Sequence, residues 1–304
     1  MTVLAGFVAQ LLHIALTAAA APTLVGVLRW LTVRLDGRVG ASVLQPWHDL
    51  RRLLRKQALL ADSASAISDI APLAGAAAIA VAACLVPSFT LGMTLAPLAD
   101  LLVIAGLLSV SRCALALAAM DAGTAMGGQS ASRVMLLAVL SEPALLLAVL
   151  VLGLLAGSLD LDVIAAMQIE TGTDWAEAVG VGLAATLLVA LVDATGWGML
   201  GAEASGADRA LFEATDALRL LVWCNLIGAM FLPLGMAQAS AGPLAWFVGL
   251  AGWLGRTLAL VVALAVLHAV VGRLRLVTSA RVLGVAVLLG LIATLVLFAA
   301  TGSA

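Results

Sequence analysis

Charge is scarce in this 304-residue sequence: 11% of its residues are Asp, Glu, Lys or Arg, against 64% hydrophobic. A soluble domain carries about 25% charged and roughly 45–50% apolar residues, so a water-soluble globule is excluded. No basic or acidic tail is present, which leaves nucleic acid without an electrostatic footprint. Cysteine is scarce too. Cys84, Cys113 and Cys224 each fall in an apolar segment, with no Cys-x-x-Cys pair and no Cys/His cluster. Iron–sulfur, haem and zinc sites need several convergent ligands, so the sequence predicts no cofactor bound by this chain. Gly-x-x-x-x-Gly-Lys, Gly-x-Gly-x-x-Gly, His-Glu-x-x-His and Gly-x-Ser-x-Gly are all missing, which removes the usual phosphate-cradling, zinc-protease and serine-hydrolase readings.

What the sequence has is long apolar runs. A helix crossing about 30 Å of hydrocarbon needs about 20 apolar residues. Runs of that size predict one all-α membrane domain with spans near 3–31, 70–90, 99–120, 134–156, 177–200, 214–236, 243–271 and 282–301. The run after the first methionine continues to Leu31, too long for a signal-peptide core, and is read as a retained span. Positive residues then orient the set. Arg34, Arg38, Arg51, Arg52, Arg55 and Lys56 lie between spans 1 and 2, Arg133 between 3 and 4, Arg209 between 5 and 6, and Arg273, Arg275 and Arg281 between 7 and 8. The even-numbered breaks and both ends have none, so the positive-inside rule places the odd-numbered loops in the cytoplasm and both termini outside.

Two breaks are read in more detail. Residues 45–56 place Pro46 at a first helical turn, with Leu50, Leu53, Leu54 and Ala58 at helical spacing and arginines opposite, predicting an amphipathic helix on the membrane surface. The stretch from Asp121 to Arg133 is rich in glycine and is predicted to be an irregular loop, and the outer break 157–174 a plain solvated connection.

Ionisable side chains inside a span cost about 2.5–3.5 kcal/mol each and point to function. Arg112 precedes Asp121 by nine residues and Glu142 follows Arg133 by nine, which puts both at about 13 Å of depth. Asp193, counted from Gly201, reaches about 12 Å. Three helices thus bring one charge each to a common level, either as a hydrated proton relay or as an ion pair that locks helices together. Pro143 directly after Glu142 is expected to kink its span, and Ser109 and Ser141 to satisfy the polarity nearby. Glu213, Asp216 and Arg219 recur on one helix face, where the carboxylates also suit a helix start. Arg256 and His268 add ionisable groups to span 7, and His13 reads as a satisfied core histidine.

In order along the chain, four stretches carry a resemblance. These are Arg34-Leu-Asp-Gly-Arg38-Val-Gly40 with Leu44-Gln45-Pro46, Asp49-Leu50 and Leu54-Arg55-Lys56; Met120-Asp121 through Gly127-Gly128 and Ser132-Arg133 to Glu142-Pro143; Glu203-Ala-Ser205-Gly206 with Leu211-Phe212-Glu213; and Arg273-Leu-Arg275-Leu276. Together they resemble the membrane subunit shared by formate hydrogenlyase, group 4 membrane-bound hydrogenases and respiratory complex I. The resemblance implies a non-catalytic subunit of a multi-pass cytoplasmic-membrane complex. Its partners would be hydrophilic hydrogenase-like subunits carrying Fe–S and Ni–Fe centres, and antiporter-like membrane subunits. Arg34, Arg38, Gln45, Asp49 and Arg133 would face the hydrophilic arm. Arg112, Asp121, Glu142, Asp193, Glu203, Glu213, Asp216, Arg256 and His268 would make up the proton-coupling path. Val134, Gln57 and His268 stand where family members carry acids, and Ala204 replaces the Tyr before Ser-Gly. No residue pattern speaks for a bound quinone. The competing reading is a stand-alone proton-coupled transporter.

Overall fold

The computed structural model describes residues 2–57, 64–171, 176–195, 200–271 and 276–302. Ten helices account for nearly all of them: α1 Thr2–Leu35, α2 Gln45–Leu54, α3 Ala66–Leu85, α4 Leu101–Asp121, α5 Ala125–Ala156, α6 Leu161–Thr171, α7 Ala176–Thr195, α8 Gly206–Phe231, α9 Pro243–Val271 and α10 Leu276–Gly302. Seven are long and apolar enough to cross a membrane. The eighth, α7, has a shorter apolar stretch, Ala178–Ala194, and the rest of its predicted span, 196–199, lies outside the described residues. The chain is a polytopic all-α membrane protein.

α8 is the axis. Every residue from Arg219 to Phe231 is buried, on all sides of the helix, which marks a segment enclosed by other helices rather than one facing lipid. It touches α1, α2, α3, α6, α7 and α9. The outer end of the bundle is closed by a small parallel pairing of β1 Thr90–Leu91 with β2 Ala237–Gln238. Gly6 near the start of α1 approaches Gly92 beside β1, and Leu297 near the end of α10 packs with Val151 and Ala178, so both chain ends lie at the β1–β2 end. That agrees with the sidedness read from the arginines.

Several boundaries differ from the sequence reading, each for a local reason. The predicted loop from Asp121 to Arg133 is mostly helix. Thr124 caps α5 by accepting from the Gly127 N–H at 3.0 Å, and a Cβ on Gly127 would stand 2.1 Å from the Ala119 carbonyl. Glycine there permits close packing of α4 on α5 instead of breaking the helix, and Arg133 sits within α5. The predicted solvated connection contains α6, whose Leu161, Ile164 and Ala165 are fully buried, and Gln168 Nε2 donates to the Met230 carbonyl at 3.0 Å. α8 begins at Gly206 instead of 214 because Ser205 and Asp208 supply a helix start. α5 continues through Pro143 without a break. The surface helix α2 is confirmed, but it ends at Leu54; only Pro46 and Leu53 are buried, and Ala58 lies outside the described residues.

At the outer end, Asp162 on α6 accepts from the Gly92 N–H at 2.6 Å and so holds the turn after β1. Burial pushes this carboxyl above its ordinary value, with the Gly92 hydrogen bond opposing and Asp160 adding to the rise. A folded-state pKa above the unfolded one favours folding while the acid is protonated. The stabilising contribution is present below the unfolded pKa and is lost as pH rises through the folded value. Asp162→Asn should therefore remove the part of the thermal stability in detergent that declines as pH rises through the carboxylate range; an unaltered decline there would assign it to another group.

Candidate functional site: a buried row of charges

The inner half of the bundle contains a connected row of five ionisable side chains from four helices. At one end, Ser109 Oγ on α4 donates to Glu142 Oε1 on α5 at 2.8 Å. Arg112, one turn further along α4, donates to Ser109 Oγ at 3.3 Å and to Ser141 Oγ at 2.8 Å, and its Nη1 lies 3.6 Å from Asp193 Oδ1 on α7. The same aspartate is 3.9 Å from Arg219 Nε on α8 and accepts from Trp223 Nε1 at 2.6 Å. Arg219 reaches Ser111 Oγ at 3.0 Å and Asp216 Oδ1 at 3.3 Å. The row thus reads Glu142, Ser109, Arg112, Asp193, Arg219, Asp216.

Burial is uneven along it. Arg112, Asp193 and Arg219 are 2%, 5% and 1% exposed, whereas Glu142 is half-buried and the Asp216 side chain is 38% exposed. Three carboxylates against two guanidiniums leave one formal negative charge in excess. Hydroxyls of Ser109, Ser111 and Ser141, which both donate and accept, join the charged members.

The common level inferred for Arg112, Glu142 and Asp193 is real, but by a different count. α7 is described only to Thr195, so Asp193 lies near the end of the described helix and its depth is fixed by contact with Arg112, not by distance from Gly201. Of the two pairings considered for Arg112, the structure has the one with Asp193; Glu142 is reached only through Ser109. The sequence reading missed Trp223 and Ser111. Trp223 follows Arg219 by one helical turn, and Ser111 neighbours Arg112; those spacings were the available signals.

The other candidates sit elsewhere. Asp121, at the inner end of α4, accepts from Ser65 N–H and Oγ at 2.7 and 2.6 Å and from Ser68 N–H and Oγ at 3.2 and 2.6 Å, so it caps α3. Glu203 accepts from the Thr124 hydroxyl and, with Asp208, lines an open cavity of about 330 Å³ between the inner ends of α3, α4 and α8. Glu213 pairs with Arg209 at 3.2 Å. Arg34 and Arg38 are exposed at the inner end of α1, Arg34 lying 4.9 Å over the Trp30 ring. Gln45 donates to Asp49 at 3.2 Å, and Arg133 is half-buried on α5.

Arg256 and His268 are not joined to the row. Arg256 lies at the outer end, where it donates to the carbonyls of Ser88 at 2.5 Å, Leu232 at 3.1 Å and Leu234 at 3.3 Å. It thereby ties together the chain leaving α3 and the chain leaving α8. Gly228 makes the room: a Cβ there would stand 2.7 Å from Arg256 Nε. His13 is fully buried; its Nε2 lies 2.8 Å from the Ala83 carbonyl and its Nδ1 2.6 Å from Ser88 Oγ, the satisfied core histidine expected. His268 is half-buried near the inner end of α9. Between the inner row and the Ser88–Arg256 hub lie buried apolar side chains such as Leu226 and Ile227, and with them the buried amide of Asn225, whose Oδ1 accepts from Trp253 Nε1 at 2.8 Å.

The chain is similar to three groups of known proteins. It is 29% identical over 232 residues to hydrogenase-4 component C of Escherichia coli K12, spanning 71% of this chain and 72% of that protein. It is 34% identical over 140 residues to formate hydrogenlyase subunit 4 of the same organism, 46% of each chain. In fold it matches a chain of the membrane-bound sulfane sulfur reductase, an archaeal respiratory membrane complex, with a TM-score of 0.78 over 95% of this chain and 99% of that one at 18% identity. The family model described as NADH dehydrogenase matches residues 8–197, well over half of the sequence, and this chain belongs to that family.

Proposed function

We propose that this chain is the membrane-anchoring and proton-coupling subunit of an energy-converting oxidoreductase of the hydrogenase or respiratory-complex type, seated in the cytoplasmic membrane. The observation that carries the reading is the row from Glu142 to Asp216, partly open at both ends and closed in the middle. Because the row runs across the bundle from α8 through α7 and α4 to α5, a proton entering near Asp216 is led sideways to Glu142. A sideways route suits a subunit that passes protonation changes to a neighbour in the membrane.

In this reading the Fe–S and Ni–Fe centres belong to hydrophilic partner subunits docked on the inner end, where Arg34, Arg38, Gln45, Asp49 and the 330 Å³ cavity beside Glu203 and Asp208 lie. Antiporter-like membrane subunits would take the Glu142 end. This chain's own residues hold and move the proton: Glu142 and Asp216 exchange it at the partly open ends, while Arg112 and Arg219 flank Asp193 between them.

The test is Glu142→Gln in the complete complex reconstituted into vesicles. Gln keeps the hydrogen bond from Ser109 but cannot carry a proton. Substrate-driven proton uptake is expected to fall by about tenfold, the equivalent of roughly 1.4 kcal/mol on the transfer step, with assembly unchanged. Undiminished uptake would refute the coupling role, and lost assembly with normal coupling in the remainder would leave Glu142 as a structural residue.

A further inference from the structure

After α1 the chain turns back toward the membrane. α1 has 34 residues and a length of about 50 Å, against about 30 Å of hydrocarbon, so part of it stands outside the apolar layer. Gly26 precedes the end of α1 at Leu35 by nine residues, about 13 Å, and lies so close to the Val43 carbonyl that any Cβ would collide with it. α2, which starts two residues later, is therefore set well below the tip of α1, at headgroup depth. Its buried side chains are Pro46 and Leu53, and its neighbours are α1 and α8.

At about 100° per residue the free faces of α2 differ. Trp47 and Leu54, 40% and 67% exposed, stand one above the other on one flank, with the exposed Arg51 and Arg55 beside them. Gln45, Asp49, Arg52 and Lys56 occupy the opposite flank, where Asp49 pairs with Arg52 at 3.3 Å and accepts from Gln45 at 3.2 Å. Neither Arg51 nor Arg55 has an ion pair among the described residues, and as like charges at i and i+4 they repel each other until an anion is shared. A soluble partner could bring acids to the arginines, but it would have to reach below the headgroups to cover Trp47 and Leu54. A phospholipid supplies both chemistries in one molecule, since indole and aliphatic groups suit the apolar boundary and guanidiniums suit a phosphate just outside it. We propose that the flank of α2 formed by Trp47, Arg51, Leu54 and Arg55 binds an anionic phospholipid of the inner leaflet, its phosphate between the two arginines and its acyl chains along Trp47 and Leu54. The site rests on the depth and charge of α2 and is independent of proton movement along the buried row.

The experiment uses the full chain in vesicles of mixed phosphatidylcholine and phosphatidylglycerol, with bromine on the acyl chains of one lipid or the other. Because the chain has seven tryptophans, quenching at Trp47 is read as the difference between the parent and Trp47→Phe. Brominated phosphatidylglycerol is expected to quench Trp47 more strongly than brominated phosphatidylcholine. Arg51→Gln and Arg55→Gln should each weaken that preference about fivefold, the value of one basic side chain at an anionic surface, and Arg52→Gln on the far flank should leave it in place. Equal quenching by the two lipids, or an equal loss in Arg52→Gln, would reduce the effect to general surface charge and overturn the site. Absence of quenching by either lipid would lift α2 away from the bilayer and overturn it as well. A preference removed by inorganic phosphate but not by chloride of equal ionic strength would mark a free-anion site in place of a lipid one.

Discussion

Asp193→Leu should leave little folded chain in the membrane. Asp193 is the only carboxylate within 4.0 Å of Arg112 among the described residues, and it also faces Arg219 and takes the Trp223 indole N–H. Removing it keeps two buried guanidiniums and deletes the negative charge between them. Breaking a buried ion pair from one side costs about 3–5 kcal/mol, a large part of the roughly 5–15 kcal/mol by which a typical domain is stable. Thermal unfolding of detergent-purified protein and the steady-state level in membranes measure the loss. Adding Arg112→Met to the Asp193→Leu background should recover part of it, since Arg219 keeps Asp216 at 3.3 Å and the second change takes away the guanidinium that has lost its carboxylate. If Asp193→Leu unfolds at the parent temperature, the row is not holding helices together.

Arg256→Met should loosen the opposite end of the bundle. Arg256 makes no ion pair among the described residues; its guanidinium serves three carbonyls, Ser88, Leu232 and Leu234, from two separate chain exits. Hydrogen bonds from a charged donor contribute about 1.5–3 kcal/mol each, and water at the outer surface can replace some, so a net loss of about 2–4 kcal/mol is expected. The measurement is protease cleavage between residues 87 and 100 and between 232 and 242, which should both quicken while the inner end stays resistant. Arg256→Lys restores the charge but not the planar fork that spans three acceptors, and should rescue only in part. Proton uptake that fell in Arg256→Met with unchanged cleavage would instead connect this residue to the coupling route.

The two variants contrast because the sequence announced Asp193 and Arg256 in the same way, as charges inside apolar runs, while their surroundings differ. Depth along a helix is legible from residue counts at 1.5 Å per residue, which is why the alternation of arginines gave the span order and sidedness, and why Arg112 and Glu142 were placed at one level. Direction around the helix axis and the identity of the facing helix are not local properties. Thus Arg256 was grouped with the proton path although it turns toward carbonyls, and Asp121 although all its hydrogen bonds go to α3. The same limit hid Trp223, an ordinary apolar residue until Asp193 is brought opposite it. Gly127 and Gly128 suggested a loop because glycine weakens helices in isolation; close approach to the Ala119 carbonyl outweighs that cost in the folded chain. α6 escaped notice because its eleven residues, with acids at Asp162 and Glu170, are too few to cross a membrane, and the burial of Leu161, Ile164 and Ala165 depends on α8.

The enclosure of α8 also has a consequence for how the chain is made. Of the seven long apolar helices it has the lowest mean hydropathy, 1.3 against 2.8 for α10, and it carries Glu213, Asp216 and Arg219. A lone segment of that composition partitions weakly from the translocon into lipid. α4 and α7 leave the ribosome earlier, so Ser111 and Asp193 already wait in the bilayer when Arg219 emerges. Insertion of the central helix is then a docking event onto its predecessors, and the order of synthesis becomes part of the folding instructions.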